Sequence, residues 1–230
     1  MIKTTEKEEY KNKMRFLMGE SMGGAVALLL HRKEPQFWDG AILVAPMCKV
    51  KLVFVNKLQI AEEMKPNTMV IKVLNALSKV APSWRIVPGP DIIDIAFKVP
   101  EVREEIRENE YCYKGRPRLR TASELLRISR EIEERLHEVS LPFLVLHGEA
   151  DQVTDKAISK QLHEVAGSSD KTLKLYPGMW HGLLYGEPPE NLNIVFSDII
   201  GWIEKRCQFG NTRLERELKE EHEHLVRSDL

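Results

Sequence analysis

Between Met14 and Leu30 the chain reads MRFLMGESMGGAVALLL: a short apolar run, a serine between glycines, then a second apolar run. Gly19-x-Ser21-x-Gly23 therefore falls where a strand would hand over to a helix, the context in which a nucleophile elbow forms. A serine on so tight a turn is strained, and side chains at either flank would strike the crossing backbone. Gly19 and Gly23 are read as relieving that collision, and Gly24 as letting the helix pack closely on the sheet. The turn lifts the Ser21 hydroxyl above the strand ends and aims the Met22 N–H where an oxyanion would form.

The elements around this turn point to an α/β fold. The first strand is expected at Met14–Met18 and the nucleophile helix at Met22–Arg32, stopped by Pro35. Trp38, Asp39 and Gly40 turn the chain into a second strand, Ala41–Ala45. Its sequence AILVA is apolar throughout, as in a parallel strand covered on both faces. A third strand, Phe143–His147 (FLVLH), follows Pro142, and a fourth is expected at Lys171–Tyr176. Asp155 is placed to cap a helix running to Ala166, with Gly167 as its stop. Ile194–Arg206 reads as a last amphipathic helix. The expected core is thus a parallel sheet of about four strands, built from residues 14–47 and 141–206.

Residues 48–140 interrupt that core and read as helices. Thr68–Ala81 carries Val70, Val73, Leu74, Leu77 and Val80 on one side. In Thr121–Val139, Thr121 and Glu124 are spaced as a capping box ahead of an apolar stripe. Prolines and the apolar segment Asp91–Phe97 (DIIDIAF) lie between them. A helical insertion between core strands is where a lid is carried; Val73, Leu77, Ile93 and Phe97 are the candidates for its substrate-facing lining. Residues 1–13 are read as a polar leader, and residues 207–230 as a charged helix or tail.

Composition narrows the function. With 34 basic and 35 acidic residues the formal net charge is −1, which does not suggest nucleic acid as a partner. Cys48, Cys112 and Cys207 are scattered without metal-ligand spacing, so no metal is expected and a reducing compartment fits. The N-terminus has no signal-peptide pattern, and no apolar run approaches the roughly 18 residues that a membrane span needs. The expected location is cytoplasmic, with peripheral membrane contact through the cap as a further reading.

A serine hydroxyl needs a base and an orienting acid to become a nucleophile. Of seven histidines, His181 stands apart, on a loop just past the last strand and followed by Gly182. Loops at the C-terminal ends of strands are where catalytic side chains gather. His147 ends a strand and reads as a hydrogen-bonded structural residue that could point into the site. For the acid, Asp151 lies just beyond its strand; Asp155, with a capping task, is the runner-up, and Glu149 is worse placed. Ser21, Asp151 and His181 follow the order of the α/β-hydrolases.

The segments GESMGGAVAL, APMCK, PFLVLHGEADQVTD and PGMWHGLLYGEPPEN resemble plant monoacylglycerol lipases and the similar caffeoylshikimate esterases, in the serine-aminopeptidase-like branch of the α/β-hydrolases. The resemblance runs from about Met14 to Arg206. It implies the C-terminal part of that fold with a cap, carboxylester hydrolysis, no cofactor, and the triad Ser21, Asp151 and His181. The implied substrate is a small ester or lipid: a long-chain monoacylglycerol, or a phenolic ester such as caffeoyl shikimate. Two departures stand out. The N-terminal half of such proteins, with its second oxyanion donor, has no counterpart before Met14, and Lys51–Gln59 reads as an added piece. The resemblance therefore also admits a non-catalytic module that binds acyl ligands, and it leads to the expectation of impaired turnover.

Overall fold

Two apolar runs, Gly40–Val44 and Phe143–Gly148, form the centre of the sheet, and every residue of both is buried. In the computed structural model, which describes residues 7–11, 13–49, 68–86 and 91–209, the short helix α1 (Glu8–Lys11) precedes β1 (Phe16–Glu20). Then follow α2 (Met22–Lys33), β2 (Gly40–Val44), α3 (Thr68–Val80), α4 (Ile92–Ala96), α5 (Pro100–Glu108) and α6 (Leu119–Glu134). A single 3-10 turn leads into β3 (Phe143–Gly148), α7 (Lys156–Val165), β4 (Lys171–Tyr176) and α8 (Pro189–Phe209). All strand pairs are parallel, in the order β1-β2-β3-β4.

The two-residue period of the strands divides the core into two layers. Ala41, Leu43, Phe143 and Val145 face α2, α6 and α7, where Leu28, Ile132 and Leu162 are buried. Ile42, Val44, Leu144 and Leu146 face Val195, Ile199 and Trp202 of α8. Helices thus cover both faces, which is why the central strands carry no alternation of polar residues. β1 lies at one edge, and Met18 on it is 49% exposed.

Several local expectations shift. β1 begins and ends two residues later than Met14–Met18, because its partner Gly40 pairs with Phe16 and Val44 with Glu20. Thr121 does not cap α6: that helix starts at Leu119, whose buried side chain and N–H bond to the Trp84 carbonyl hold it, and Glu124 pairs with Arg127 instead. α8 starts at Pro189, five residues ahead of the expected Ile194. In α3, Leu74 packs against Leu119 and Ala122, whereas Leu77 and Val80 are exposed. Asp155 caps α7 as expected, accepting from the Ala157 N–H at 3.0 Å. Lys51–Gln59 and residues 210–230 lie outside the described residues. Among those described, no helix is long and apolar enough to cross a membrane.

Candidate active site

The C-terminal ends of the parallel strands carry the candidate residues. Ser21 directly follows β1, Asp151 stands three residues after β3, and His181 five residues after β4. Ser21 has φ 52° and ψ −116°, a conformation that a residue with a side chain occupies at a cost of order 1–3 kcal/mol. Surrounding bonds hold it there. Its N–H donates to the Val44 carbonyl at 2.9 Å, and its own carbonyl accepts from Met47 at 2.8 Å and Gly24 at 3.1 Å. Its side chain makes no helix-capping hydrogen bond and is half-buried, so the hydroxyl is not spent on the fold. Met22 opens α2, so its N–H has no acceptor within the helix. Ala45, at φ 42°, is a second strained residue beside the turn, and composition gave no hint of it.

The glycines divide the work differently from expectation. A Cβ on Gly19 would lie 2.2 Å from the Gly23 carbonyl oxygen, so Gly19 is the residue that lets strand and helix cross. A Cβ on Gly23 would meet nothing within 4 Å, which removes the steric role expected for it. At Gly24 the close neighbour is the Pro46 side chain at 2.6 Å, so this glycine seats the helix on the loop after β2. Gly148 was not singled out by sequence: a Cβ there would lie 2.3 Å from the Trp180 carbonyl, and its absence lets the Asp151 and His181 loops approach.

That approach brings the acid and the base together. Asp151 Oδ2 lies 2.8 Å from His181 Nδ1, with both side chains almost wholly buried. Thr154 Oγ1 donates to the same oxygen at 2.7 Å, and the Val153 and Thr154 N–H groups donate to Oδ1 at 2.7 and 3.0 Å. Burial opposes a charged carboxylate, but hydrogen bonds from His147, His181 and Thr154 and the charge of His181 outweigh it. They hold Asp151 well below the usual carboxylate range. Asp155 is occupied by its cap. Thr154 was missed in the sequence; the Asp-x-x-Thr spacing, which folds into a side-chain-capped turn, is the signal that marks it.

The His181 loop is fastened to the interrupting segment. The Gly182 N–H donates to the Ala96 carbonyl at 2.9 Å, and the Lys98 N–H donates to that of Gly186 at 2.9 Å. Phe97 is buried against Gly182 and Gly186, with its ring 5.1 Å from that of Tyr185. The buried Glu187 carboxylate accepts from the Trp180 N–H at 2.6 Å and from Asn191 at 2.7 Å, bracing the loop from behind. Of the expected cap lining, Phe97 thus sits beside the residue following His181, Ile93 is half-buried, and Leu77 is exposed. The Val73 side chain lies outside what is described.

Glu20, between Gly19 and Ser21, is the other unusual acid. Its Oε1 is buried without a hydrogen-bond partner among the described residues. Burial pushes its carboxyl up to about 7, against the counter-pull of His181. No group of three His, Cys, Asp or Glu among the described residues is placed to hold a metal.

Residues 1–189 match the family described as serine aminopeptidase, S33. The chain belongs to that family. It is 40% identical over 202 residues to caffeoylshikimate esterase of Arabidopsis thaliana, covering 87% of this chain and 58% of that protein. It is 30% identical over 205 residues to monoglyceride lipase of Homo sapiens, covering 89% of this chain and 63% of that one. A solved structure of monoglyceride lipase from Saccharomyces cerevisiae superposes with a TM-score of 0.73 at 21% identity, covering 90% of this chain and 66% of the other. At that identity the superposition speaks to the α/β-hydrolase fold alone. The chain spans about three fifths of the length of the curated relatives that it matches.

Proposed function

We propose that this member of the family is a serine carboxylester hydrolase acting on monoacylglycerols, with Ser21 as nucleophile, His181 as base and Asp151 as the acid that orients it. The observation that carries the reading is the 2.8 Å contact between Asp151 Oδ2 and His181 Nδ1 at the same strand ends that carry a strained Ser21. Among the described residues no hydrogen bond joins Ser21 to His181, and in this reading the two come together when substrate binds. With Nδ1–H donated to Asp151, the Nε2 lone pair of His181 is free to take the Ser21 proton. Ser21 Oγ then bonds to the ester carbonyl carbon, and the carbonyl electrons move to oxygen, towards the Met22 N–H. Collapse expels the alcohol, which takes its proton from His181. Water, deprotonated by the same imidazole, attacks the acyl-serine and releases the acid. Gly19 and Gly23 belong to the elbow, and no cofactor enters any step.

The apolar residue Phe97, beside the histidine loop, favours an acyl chain; Ile93, Val73 and Leu77 are the further lining in this reading. Peripheral contact with a lipid surface through this segment would deliver such a substrate. The 40% identity to a caffeoylshikimate esterase favours a phenolic ester as second reading. Hydrolysis of 1-monooleoylglycerol and of caffeoyl shikimate by the purified chain and by its Ser21→Ala variant separates them. The proposal expects Ser21-dependent release of oleate in preference to caffeate. Preference for caffeate overturns the substrate class, and hydrolysis of either ester that survives in Ser21→Ala overturns the nucleophile.

A further inference from the structure

Asp151 is approached by a second histidine for which the reaction above has no use. His147, the penultimate residue of β3, is fully buried, and its Nε2 lies 3.2 Å from Asp151 Oδ2. Its Nδ1 lies 2.8 Å from Ser159 Oγ, on the buried face of α7. These two contacts require a hydrogen on Nε2. If Nδ1 alone carried the hydrogen, the bare Nε2 lone pair would face a carboxylate oxygen at 3.2 Å, too close for a water to stand between them. With the hydrogen on Nε2, His147 donates to Asp151, and the Ser159 hydroxyl donates to Nδ1. Oδ2 then stands between two imidazole N–H groups, from His147 and His181, with the Thr154 hydroxyl as a third donor.

We infer that His147, held by Ser159, is a positioning residue that fixes the Asp151 carboxylate towards His181. The inference rests on the serine-hydrolase reading of Ser21. The physical reason lies in the carboxylate's freedom. The Val153 and Thr154 N–H groups secure Oδ1, but the Thr154 hydroxyl has one hydrogen and two acceptors in range, Asp151 Oδ2 at 2.7 Å and the Ala45 carbonyl at 3.2 Å. When it turns to Ala45, His147 remains on Oδ2. A carboxylate anchored at both oxygens keeps the His181 ring in the orientation that presents Nε2 to Ser21, and orientation of this kind governs the chemical step rather than substrate binding. The additional donor also keeps the proton on His181 rather than on Asp151.

Two conservative substitutions separate this role from a purely structural one. His147→Gln keeps an N–H where Nε2 stands, within reach of Asp151. His147→Asn keeps an amide where Nδ1 stands, within reach of Ser159 only. The readouts are the rate of covalent labelling by a fluorophosphonate, and, in proteins that also carry Ser21→Ala, hydrogen exchange of the His181 Nδ1–H followed by NMR with nitrogen-15 histidine. The expected result is that His147→Gln labels within about threefold of the parent and His147→Asn about tenfold slower, with the His181 proton exchanging faster in the Asn protein alone. An Asn protein that labels as fast as the Gln protein, that fails to fold, or that leaves the His181 proton unchanged overturns the proposal. If the parent does not label at Ser21, the serine-hydrolase reading fails, and the exchange measurement still decides for or against His147 as the residue that holds the Asp151–His181 pair.

Discussion

Replacing Glu20 with glutamine should change how stability depends on pH, with little dependence on what else the substitution does. In the folded protein, burial beside Ser21 pushes the Glu20 carboxyl up from 4.5 to about 7, with His181 opposing the shift. The folded protein therefore holds this proton more tightly than the unfolded chain. Its contribution to stability is fully present below about 4.5 and is lost as pH rises through about 7. At about 1.4 kcal/mol per pKa unit, the parent should lose about 2.5 kcal/mol between pH 5 and pH 8 that the variant keeps. Acid effects from Asp151 and the other carboxylates are common to both proteins and cancel in the difference. Urea unfolding followed by circular dichroism at pH 5, 6, 7 and 8 gives the two curves. The variant should gain on the parent steadily across that range. A difference that stays constant with pH would show that Glu20 is ionised in the fold, and that its apparent burial is relieved by water.

The two aspartates after β3 should separate cleanly. Asp155→Ala loses the side-chain cap on α7 and should cost about 1 kcal/mol of stability by urea titration while leaving ester hydrolysis near the parent rate. Asp151→Asn should lower turnover by about 10⁴-fold, because the amide favours the wrong His181 tautomer; the opposite pattern would make Asp155 the acid. Among the described residues β1 has a strand partner on one side only, with Met18 exposed on it, and such edges invite association between chains. The 230-residue chain should therefore self-associate in sedimentation. A monodisperse, monomeric sample would contradict this.

The parts of the fold that depend on short-range pattern were legible. Continuous apolar runs bounded by proline and glycine announced β2 and β3, and the Asp155 cap followed from one residue type before an amphipathic run. The Gly-x-Ser-x-Gly turn marked Ser21 as a candidate, and places just beyond strands marked Asp151 and His181, since a parallel sheet gathers its C-terminal loops at one end. Boundaries set by tertiary contacts were not legible. β1 shifts to match Gly40, and α6 starts at Leu119 because burial of that side chain outweighs the capping pattern of Thr121 and Glu124. The network around Asp151 was hidden for the same reason. In the sequence His147 reads as a hydrogen-bonded residue that could point into the site, but its partner Ser159 has meaning only when β3 and α7 fold against one another. Glu20 looked like the variable position of a motif, yet its burial follows from where the last residue of β1 ends.

Covalent labelling with a fluorophosphonate, located by mass spectrometry, tests most directly whether Ser21 is an activated nucleophile, since the probe reports on the serine whatever the substrate. The account predicts one adduct, on the peptide containing Gly19-Glu20-Ser21-Met22-Gly23, that is absent in Ser21→Ala and nearly absent in His181→Gln. An adduct on another serine, or labelling undiminished in His181→Gln, would contradict it.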